Sequence, residues 1–584
     1  MKLMKYKKLP LIIYALFFSC AFINAQEKTN AEKHYFDINK NIELFNTIVK
    51  ELDMFYVDTL DVEKTIETGI YNMLAGLDPY TQYIPEEDMK DFRFMTTGEY
   101  AGIGSVISVC EYEGKIAVRL TDPYENMPAA KAGLKAGDVI LEVDGENVVR
   151  EGSLEKQGRD LSAYVSEKLK GQAGSLLQLK IARQGAKKPI DFKIIREIIQ
   201  VPAVPYYGLL EDGVGYIALY PSILQASGFT NKSAKEVKDA FLDLKNKGMT
   251  SLVFDLRDNG GGMLEEAVQI TNMFVPKGEV VLSTKGKIKQ AERTYRTTQD
   301  PIDLNMPIVV LVNDGSASAT EIVSGALQDL DRAVIMGERT FGKGLVQMPR
   351  ELPYGGSLKI TTSKYYIPSG RCVQAIDYTH RDGSGRLTRI PDSLTNVFKT
   401  ANGREVRDGG GIIPDVKIEE DNIPTMILYM MAENIIFDYA TKWVGSHKAI
   451  EDINTFSISD EDYNDFKIFV KGKDFKYDQG SEKTLKALKE VMDFEGYTDV
   501  ADDEFKALEA KLVPDLDRDL DLFREKIIQS INVEIAKRYF YRKGEILESL
   551  KNDKTVKQAA ELLKDQEAYK KLLQPKETEK LVEN

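Results

Sequence analysis

Apolar positions change their spacing along the chain, and each spacing predicts a different kind of structure. Residues 36–93 carry apolar side chains every three or four positions, which is typical of amphipathic helices. Residues 94–202 show short apolar runs separated by glycine turns, which predicts a small β domain. Residues 203–418 alternate between strand and helix patterns, and residues 419–584 are mostly helical. The stripe of the first region, which we expect to pack in a core, consists of Ile42, Phe45, Ile48, Val49 and Leu52.

The pattern between residues 203 and 418 predicts an α/β layer architecture. Its apolar runs are as short as buried strands and rich in β-branched residues, and helical spacings lie between them. The predicted strands are residues 214–219, 252–256, 308–312 and 333–336, and the predicted helices are residues 233–247, 264–274 and 319–327. The predicted fold class is therefore a multidomain α/β protein with helical regions at both ends.

A serine occupies the sharp turn between the predicted strand 308–312 and the helix that begins at Ala319. The N-D-G sequence after the strand supplies the turn. A side-chain oxygen at such a turn is exposed at a helix N-terminus, which is the geometry of a nucleophile. The alternative is that Ser318 has a purely structural role, because Ser318 followed by Glu321 is also a capping box at the helix N-terminus. This turn alone leaves both interpretations open.

A lysine flanked by two glycines follows the strand 333–336. In the sequence T-F-G-K-G, the glycines let the backbone bend sharply, so that Lys343 can point inward. Burial lowers the pKa of a lysine, and a neutral amine is what a general base requires. No predicted site has a histidine near it in sequence, since the chain contains only His34, His380 and His447. A lysine base is therefore favoured over a Ser-His-Asp triad, although a histidine could still fold inward.

Several motifs resemble one family of proteases. G-S-A-S-A-T-E at residues 315–321 and T-F-G-K-G at residues 340–344 resemble the active-site signature of the carboxy-terminal processing peptidases, the PDZ-bearing serine proteases of the tail-specific type. Further matching motifs follow the family's order, namely D-L-R-D-N-G-G-G at residues 255–262, Y-I-P-S-G-R at 366–371 and G-I-I-P-D at 411–415. The resemblance implies a crotonase-like β-β-α protease core.

The resemblance also implies roles for individual residues. It implies that Ser318 is the nucleophile, that Lys343 is its general base and that Gln347 orients the lysine. It further implies an oxyanion hole formed by the N–H groups of Gly262 and Ala319. From the residues alone, the glycine run that ends at Gly262 is either an anion site beside a helix start or simply a flexible turn.

A glycine-rich segment near residue 100 resembles part of a PDZ domain of the bacterial protease kind. Y-A-G-I-G-S-V-I at residues 100–107 is followed by A-G-L-K-A-G-D-V-I at residues 132–140. In such a domain, backbone N–H groups hold a terminal carboxylate and the next strand pairs with an incoming peptide. Gly102, Ile103 and Gly104 are the predicted carboxylate site. The alternative is a plain glycine-rich hairpin turn.

Composition and charge limit the kinds of molecule that the protein is expected to bind. The net charge is −14, with 43% hydrophobic and 29% charged residues, which is ordinary for globular domains. There is no basic stripe of the kind that tracks phosphates, and the acidic balance would repel nucleic acid. No histidine or cysteine cluster has metal-ligand spacing, so neither a metal nor a cofactor is expected. The resemblance implies protein substrates with accessible, apolar C-termini.

The first residues have the pattern of a secretory signal. Four lysines precede an apolar run at residues 9–23 and a small-residue end at Ala25. We expect cleavage after Ala25 and export to the periplasm. The alternatives are an uncleaved anchor and lipid attachment at Cys20, each of which would leave the protein on a membrane. Cys110 and Cys372 do not make a disulfide framework and are expected to behave as small buried hydrophobes.

The predicted function is a serine endopeptidase of the carboxy-terminal processing type, which binds substrate C-termini through its PDZ domain and cleaves in the cell envelope. The alternatives are a catalytically inactive PDZ scaffold and another acyl-transfer enzyme on a crotonase-like core. A homodimer, an adaptor protein and the role of a polar insertion at residues 375–410 stay open. The tail from residue 551 to residue 584 is predicted to be a solvated helix or a frayed end. The predicted segments are a signal peptide at 1–25, a helical region at 26–93, a PDZ domain at 94–202, a Ser/Lys protease core at 203–418 and a helical extension at 419–584.

Overall fold

A computed structural model describes most of the chain. The described residues are 9–97, 99–220, 228–381, 387–419, 421–478, 480–512 and 514–575. The chain divides into two compact units, Met1–Pro85 with Pro349–Ile360, and Glu86–Met348 with Thr361–Asn584. The lysines of the predicted signal peptide lie outside the described residues. Among the described residues, no helix is long and apolar enough to cross a membrane.

The first unit is mainly helical. It contains helices α1 (Leu9–Phe55) and α2 (Val62–Ala75) and a short strand β1 (Gln82–Ile84), which pairs with residues 357–359. The apolar stripe predicted for a core lies on α1, but Ile42, Phe45 and Ile48 are 62%, 51% and 48% exposed. The core prediction was therefore wrong for this single chain, because the unit's other described elements are too small to cover a helix of 47 residues.

The second unit begins with a β domain whose sheet has six strands. Strands β3 to β8 form this sheet, and β2 pairs with β9 in a separate two-stranded ribbon. Helix α5 packs on the sheet through Leu161, Val165 and Leu169, which are buried at helical spacing. Strand β3 is an edge strand, since it pairs only with β4 among the described residues. The elements are α3 (Met89–Thr97), β2 (Glu99–Gly102), β3 (Ser105–Tyr112), β4 (Lys115–Pro123), α4 (Pro128–Ala132), β5 (Val139–Val143), β6 (Glu146–Asn147), α5 (Leu154–Leu169), β7 (Leu176–Ala182), β8 (Ile190–Ile195) and β9 (Glu197–Gln200).

A second six-stranded sheet follows, in the order β10-β11-β12-β15-β16-β23, and it is parallel from β11 onward. All five residues of β15 are buried, as expected for a central parallel strand that is covered on both faces. Strand β13 pairs with β14 and with the later part of β18 in another sheet. The elements are β10 (Tyr206–Leu209), β11 (Val214–Ala218), α6 (Ser233–Asn246), β12 (Ser251–Asp255), α7 (Leu264–Asn272), β13 (Val280–Gly286), β14 (Arg293–Arg296), β15 (Ile308–Val312), α8 (Ala319–Asp329), β16 (Val334–Gly337), β17 (Leu345–Glu351), β18 (Ser357–Tyr366), β19 (Ile376–Arg381), β20 (Leu387–Arg389), β21 (Val397–Lys399), β22 (Glu405–Arg407) and β23 (Val416–Lys417).

The rest of the described chain is helical and has a core of its own. Trp443, Tyr439, Phe466 and Ile531 lie in that core, and the Trp443 indole donates to Asp462 at 2.9 Å. The helices are α9 (Thr425–Ala432), α10 (Ile435–Ser446), α11 (Asp460–Lys471), α12 (Gly480–Glu495), α13 (Thr498–Leu512), α14 (Leu516–Leu522), α15 (Arg524–Leu550), α16 (Lys554–Lys564) and α17 (Gln566–Leu572).

The last two helices cover one face of the parallel sheet. Helices α6, α7 and α8 pack on the opposite face, so the sheet lies between two helical layers. Val556, Ala559 and Leu563 of α16 are buried, and the Tyr569 hydroxyl of α17 bonds to the backbone N–H and C=O of Ile308 at 3.0 and 3.1 Å. The prediction of a solvated tail was therefore wrong for these helices. Their high content of lysine and glutamate obscures, in the sequence, an apolar stripe that the structure buries. Residues 576–584 of that tail lie outside the described residues.

Candidate active site

The turn between β15 and α8 holds Ser318 in an unusual backbone conformation. Ser318 has φ 57° and ψ −114°, which a residue with a side chain adopts only when its surroundings enforce it. The Asn313 side chain bonds to the backbone N–H groups of Asp258 and Gly315, and the Ser316 hydroxyl donates to the Leu256 carbonyl at 2.9 Å. The predicted sharp strand-to-helix turn is present, and Ser318 is half-buried at the start of the helix.

A buried carboxylate joins this turn to the lysine turn. Glu321 is fully buried, and its Oε2 accepts the backbone N–H of Ser318 at 2.9 Å and that of Lys343 at 2.8 Å. Its Oε1 accepts the Thr340 hydroxyl at 2.6 Å and the Gly342 N–H at 2.8 Å. Burial raises the pKa of the Glu321 carboxyl, and the four donors oppose that shift. The capping-box interpretation identified only the bond to Ser318 and missed the link to Lys343.

The backbone around Lys343 fits closely against neighbouring loops. Gly342 has φ 89°, and a Cβ built on it would lie 2.3 Å from the Cβ of Ala375, so only glycine fits there. The Gly342 carbonyl accepts the Ala375 N–H at 2.9 Å, and the Gly344 N–H donates to Gln374 at 2.7 Å. Lys343 itself is half-buried. The predicted turn therefore places this lysine in a sterically restricted segment.

Gln347 lies on β17, four residues after Lys343, and is half-buried. Its side-chain amide donates to the Thr361 hydroxyl at 3.1 Å. This bond holds Gln347 against β18. Its predicted role in orienting Lys343 stays a prediction.

The glycine loop after β12 lies directly against the serine turn. The Asn259 carbonyl accepts the Ala317 N–H at 3.0 Å, which ties the loop to the residue before Ser318. A Cβ built on Gly261 would lie 2.7 Å from both the Ala319 nitrogen and the Ser318 Cβ. Gly261, which the sequence analysis did not select, is therefore the glycine that permits this close approach. Gly262 is the next residue and is exposed, and its role as an oxyanion donor stays a prediction.

A buried tyrosine also contacts the serine turn. The Tyr365 hydroxyl donates to the Ser318 carbonyl at 3.3 Å, and the residue is 1% exposed. Burial raises the pKa of Tyr365 well above its usual value, so the phenol stays protonated. No local sequence pattern indicates this contact, since β18 reaches the turn only through the tertiary fold.

The polar insertion starts beside the lysine turn. Its hairpins are β19 with β20 and β21 with β22. The Arg389 guanidinium donates to the Phe341 carbonyl at 3.4 Å, and the Ile390 N–H donates to the Ala375 carbonyl at 2.8 Å. The insertion therefore contacts the segment that carries Lys343. Residues 382–386 within it lie outside the described residues.

Of the other titratable groups, Cys372 lies beside the lysine turn, since a Cβ built on Gly344 would be 3.1 Å from its Sγ, and His447 lies elsewhere in the described structure. His447 stacks on Trp443 in the helical core, with ring centroids 3.7 Å apart. Cys110 is buried and Cys372 is half-buried, and both are free thiols. Within the described residues, no group of three or more histidines, cysteines or carboxylates could hold a metal ion.

The predicted carboxylate loop connects β2 with β3. Ile103 is 3% exposed, and its carbonyl accepts the Ala129 N–H at 2.8 Å. The Gly104 carbonyl accepts the Tyr124 N–H at 2.9 Å. Gly104 has φ 72°, and a Cβ on it would lie 2.5 Å from the Met127 Cβ, so glycine is required. Both loop carbonyls are thus bonded inside the domain.

We expect Glu321→Gln to lower kcat/KM for the protein substrate that the resemblance implies by about 10- to 100-fold, and the free energy of unfolding by about 2–3 kcal/mol. The carboxylate now accepts hydrogen bonds from three backbone N–H groups and one hydroxyl. A glutamine has only one acceptor oxygen, so its NH₂ group would face N–H or O–H donors and could not accept their hydrogen bonds. Urea unfolding and steady-state kinetics measure the two effects. Glu265→Gln, at an exposed glutamate of α7, is the control, and an unchanged kcat/KM in Glu321→Gln would contradict the positioning role.

Comparison with known proteins places this site in a family. Residues 214–380 match Peptidase family S41, residues 119–183 match a PDZ domain family, and residues 426–563 match the C-terminal helical domain of a probable PDZ-protease. A carboxy-terminal-processing protease from Bartonella bacilliformis is 36% identical over 379 residues, which cover 64% of this chain and 81% of that protein. A probable CtpA-like serine protease from Staphylococcus aureus is 30% identical over 467 residues, which cover 77% of this chain and 85% of that protein.

A solved structure of a photosystem II D1 C-terminal processing protease is also similar to this chain. The two are 27% identical, the match covers 65% of this chain and 88% of the other, and the TM-score is 0.33. The family matches and the two relatives confirm the resemblance that the motifs indicated. The chain therefore belongs to the carboxy-terminal-processing protease family and is a serine-type peptidase that carries a PDZ domain.

Proposed function

We propose that this peptidase binds the C-terminus of a protein substrate in its PDZ domain and cleaves the substrate with a dyad of Ser318 and Lys343. The observation that carries the proposal is the bridging carboxylate of Glu321, which accepts the backbone N–H groups of both residues. The turn at Ser318 and the turn at Lys343, which are 25 residues apart in the sequence, are thereby held by the same carboxylate. A nucleophile and its base require such fixed relative positions.

The chemistry follows from the residue types. Neutral Lys343, oriented by Gln347, takes the proton from the Ser318 hydroxyl as its oxygen attacks the scissile carbonyl. Lys343 then protonates the leaving amine, and water hydrolyses the acyl-enzyme. The N–H groups of Ala319 and Gly262 stabilise the oxyanion, at about 3 kcal/mol for each donor. The close approach of Gly261 to the Ala319 nitrogen supports this placement of the glycine loop.

Recognition of the substrate follows from the PDZ sheet. Strand β3 is an edge strand in the described structure, so an extended peptide could add to it by backbone hydrogen bonds. The loop at Gly102, Ile103 and Gly104 lies at the start of that strand, where the terminal carboxylate of an added strand would lie. We infer that the preferred C-termini are apolar.

The cellular setting is part of the proposal. The basic and apolar pattern at the N-terminus supports export to the periplasm, with removal of residues 1–25 as the main expectation. An uncleaved anchor or a lipid on Cys20 would place the same enzyme on a membrane. The exposed apolar stripe of α1 favours a second subunit or another protein as a partner. We further assign the protease core to the crotonase-like β-β-α arrangement, supported by the packing of α8 against the parallel sheet.

The test is cleavage of a loosely folded reporter protein with an apolar C-terminal tail. We expect kcat/KM to fall at least about tenfold when the last residues of the tail are changed to aspartate, because charged residues would not suit a site that prefers apolar C-termini. Ser318→Ala serves as the inactive control. Equal cleavage of both reporters would contradict recognition of the C-terminus, and cleavage by Ser318→Ala would contradict the nucleophile.

A further inference from the structure

One buried glutamine holds the lysine turn just after Lys343. Gln374 is 6% exposed, and its Oε1 accepts the Gly344 N–H at 2.7 Å. Its Nε2 donates to the Ile376 carbonyl at 2.8 Å. Both ends of the side-chain amide are therefore bonded to backbone groups of the protein. Gln374 thus joins the residue after Lys343 to the first residue of β19, where the polar insertion begins.

The backbone of the lysine turn is held at successive residues. Each of the five N–H groups from residue 340 to residue 344 has an acceptor. Backbone carbonyls accept the first two, the Glu321 carboxylate accepts the next two, and the Gln374 amide accepts the last. Two side chains therefore fix the three N–H groups at and around Lys343. Because the backbone sets the direction of each Cα–Cβ bond, these bonds direct the Lys343 side chain.

The start of the polar insertion lies against the same turn. Ala375 donates its N–H to the Gly342 carbonyl at 2.9 Å, and its own carbonyl accepts the Ile390 N–H at 2.8 Å. A Cβ built on Gly344 would lie 2.8 Å from the Gln374 nitrogen, so glycine is needed for the two segments to approach this closely. The lysine turn and the start of the insertion are therefore packed and hydrogen-bonded together.

We propose that Gln374 is a positioning residue for the general base, and that the start of the polar insertion thereby helps to hold Lys343 in place. The inference rests on the proposed dyad of Ser318 and Lys343. Proton transfer from the serine requires the amine within hydrogen-bond reach, and a misplacement of about 1 Å can lower the rate about a hundredfold. Glu321 bonds to the residue before the lysine and Gln374 to the residue after it, so the backbone is held on both sides.

The test is Gln374→Met in the full chain. Methionine keeps the length of the side chain but removes both hydrogen bonds, which leaves the Gly344 N–H buried without that acceptor. We expect kcat for the reporter to fall by about 10- to 100-fold while KM stays within about twofold, because the loop proposed to bind the substrate C-terminus is unchanged. Steady-state cleavage over a range of reporter concentrations separates kcat from KM, and circular dichroism gives the folded fraction of each variant.

The matched control is Gln328→Met, the same change at a glutamine that is 2% exposed and lies near the end of α8. It also removes buried hydrogen bonds, to Ile413 and Asp415, so its loss of thermal stability should be similar. We expect this control to keep kcat within about twofold of the parent, because its bonds do not reach the lysine turn. A general loss of packing would lower kcat equally in both variants.

Two further variants of Gln374 complete the test. Gln374→Leu lacks the same two bonds and replaces Gln374→Met if that protein does not fold. Gln374→Glu keeps an oxygen that accepts the Gly344 N–H, so its kcat should be at least about threefold above that of Gln374→Met.

Two outcomes would overturn the role of Gln374. One is a kcat within twofold of the parent in the folded methionine or leucine variant, and the other is a loss no larger than that of Gln328→Met. Parent-like activity of Lys343→Met would instead overturn the proposed dyad, and this inference with it.

Discussion

Ser318→Ala and Lys343→Met should each lower kcat/KM for a tail-bearing protein by at least about a thousandfold, with little change in thermal stability. The first change removes the attacking oxygen, and the second removes the amine but keeps an aliphatic chain of similar length. Glu321 holds these residues through their backbone N–H groups, so neither change breaks its bonds. Steady-state cleavage of the reporter and thermal unfolding measure the two effects.

Lys364→Met is the matched control for the lysine, because Lys364 is an exposed lysine of β18. It should cleave the reporter at the rate of the parent. A Lys343→Met protein with normal activity beside an inactive Ser318→Ala protein would show that another group is the base. Loss of activity together with loss of the folded state would instead assign Lys343 a structural role.

Ala559→Asp should lower the free energy of unfolding by about 4 kcal/mol, because it places a carboxylate in an apolar interface. Ala559 is 0% exposed and lies between α16 and the parallel sheet, among Val253, Leu311 and Met336. An aspartate carboxylate at this position would have no access to water. Urea unfolding followed by circular dichroism measures the change.

The control for this change is Lys557→Asp, which introduces the same side chain at an exposed position of α16. We expect it to alter the free energy of unfolding by less than about 0.5 kcal/mol. If Ala559→Asp were as stable as this control, α16 would not be an integral layer of the protease core. A loss of stability in Ala559→Asp alone would establish that it is.

The serine turn could be predicted because its determinants are local. The strand Ile308–Val312 was predicted with the observed bounds, and the helix that follows begins at Ala319 as predicted. A short run of β-branched residues predicts a strand, and helical spacing of apolar residues predicts a helix, each within its own segment. The positions of Ser318 and Lys343 in their turns follow from the same local patterns.

The contacts between segments could not be predicted in this way. Glu321 and Lys343 are brought together by the packing of two turns, and nothing in the spacing of either motif indicates their shared hydrogen bonds. The close approach of Gly261 to the serine turn could not be predicted, since a glycine run does not reveal which member lies against the serine.

Errors at the two ends of the chain have a common cause. Periodicity shows that a helix has an apolar stripe, but it does not show what covers the stripe. The stripe with Ile42 and Phe45 on α1 was expected to be buried and is exposed. Helix α16 was expected to be solvated, and Val556 and Leu563 are buried on the sheet.

The burial of α16 and α17 also constrains the order in which a newly made chain can complete its core. Ribosomes make proteins from the N-terminus, so Ser318 and Lys343 are synthesised long before Tyr569, which bonds to the central strand of the catalytic sheet. Until those helices emerge, Val253, Leu311 and Met336 on that face of the sheet lack the cover of α16, and the core is incomplete. The catalytic sheet can therefore reach its complete packing only after the C-terminal helices have been synthesised.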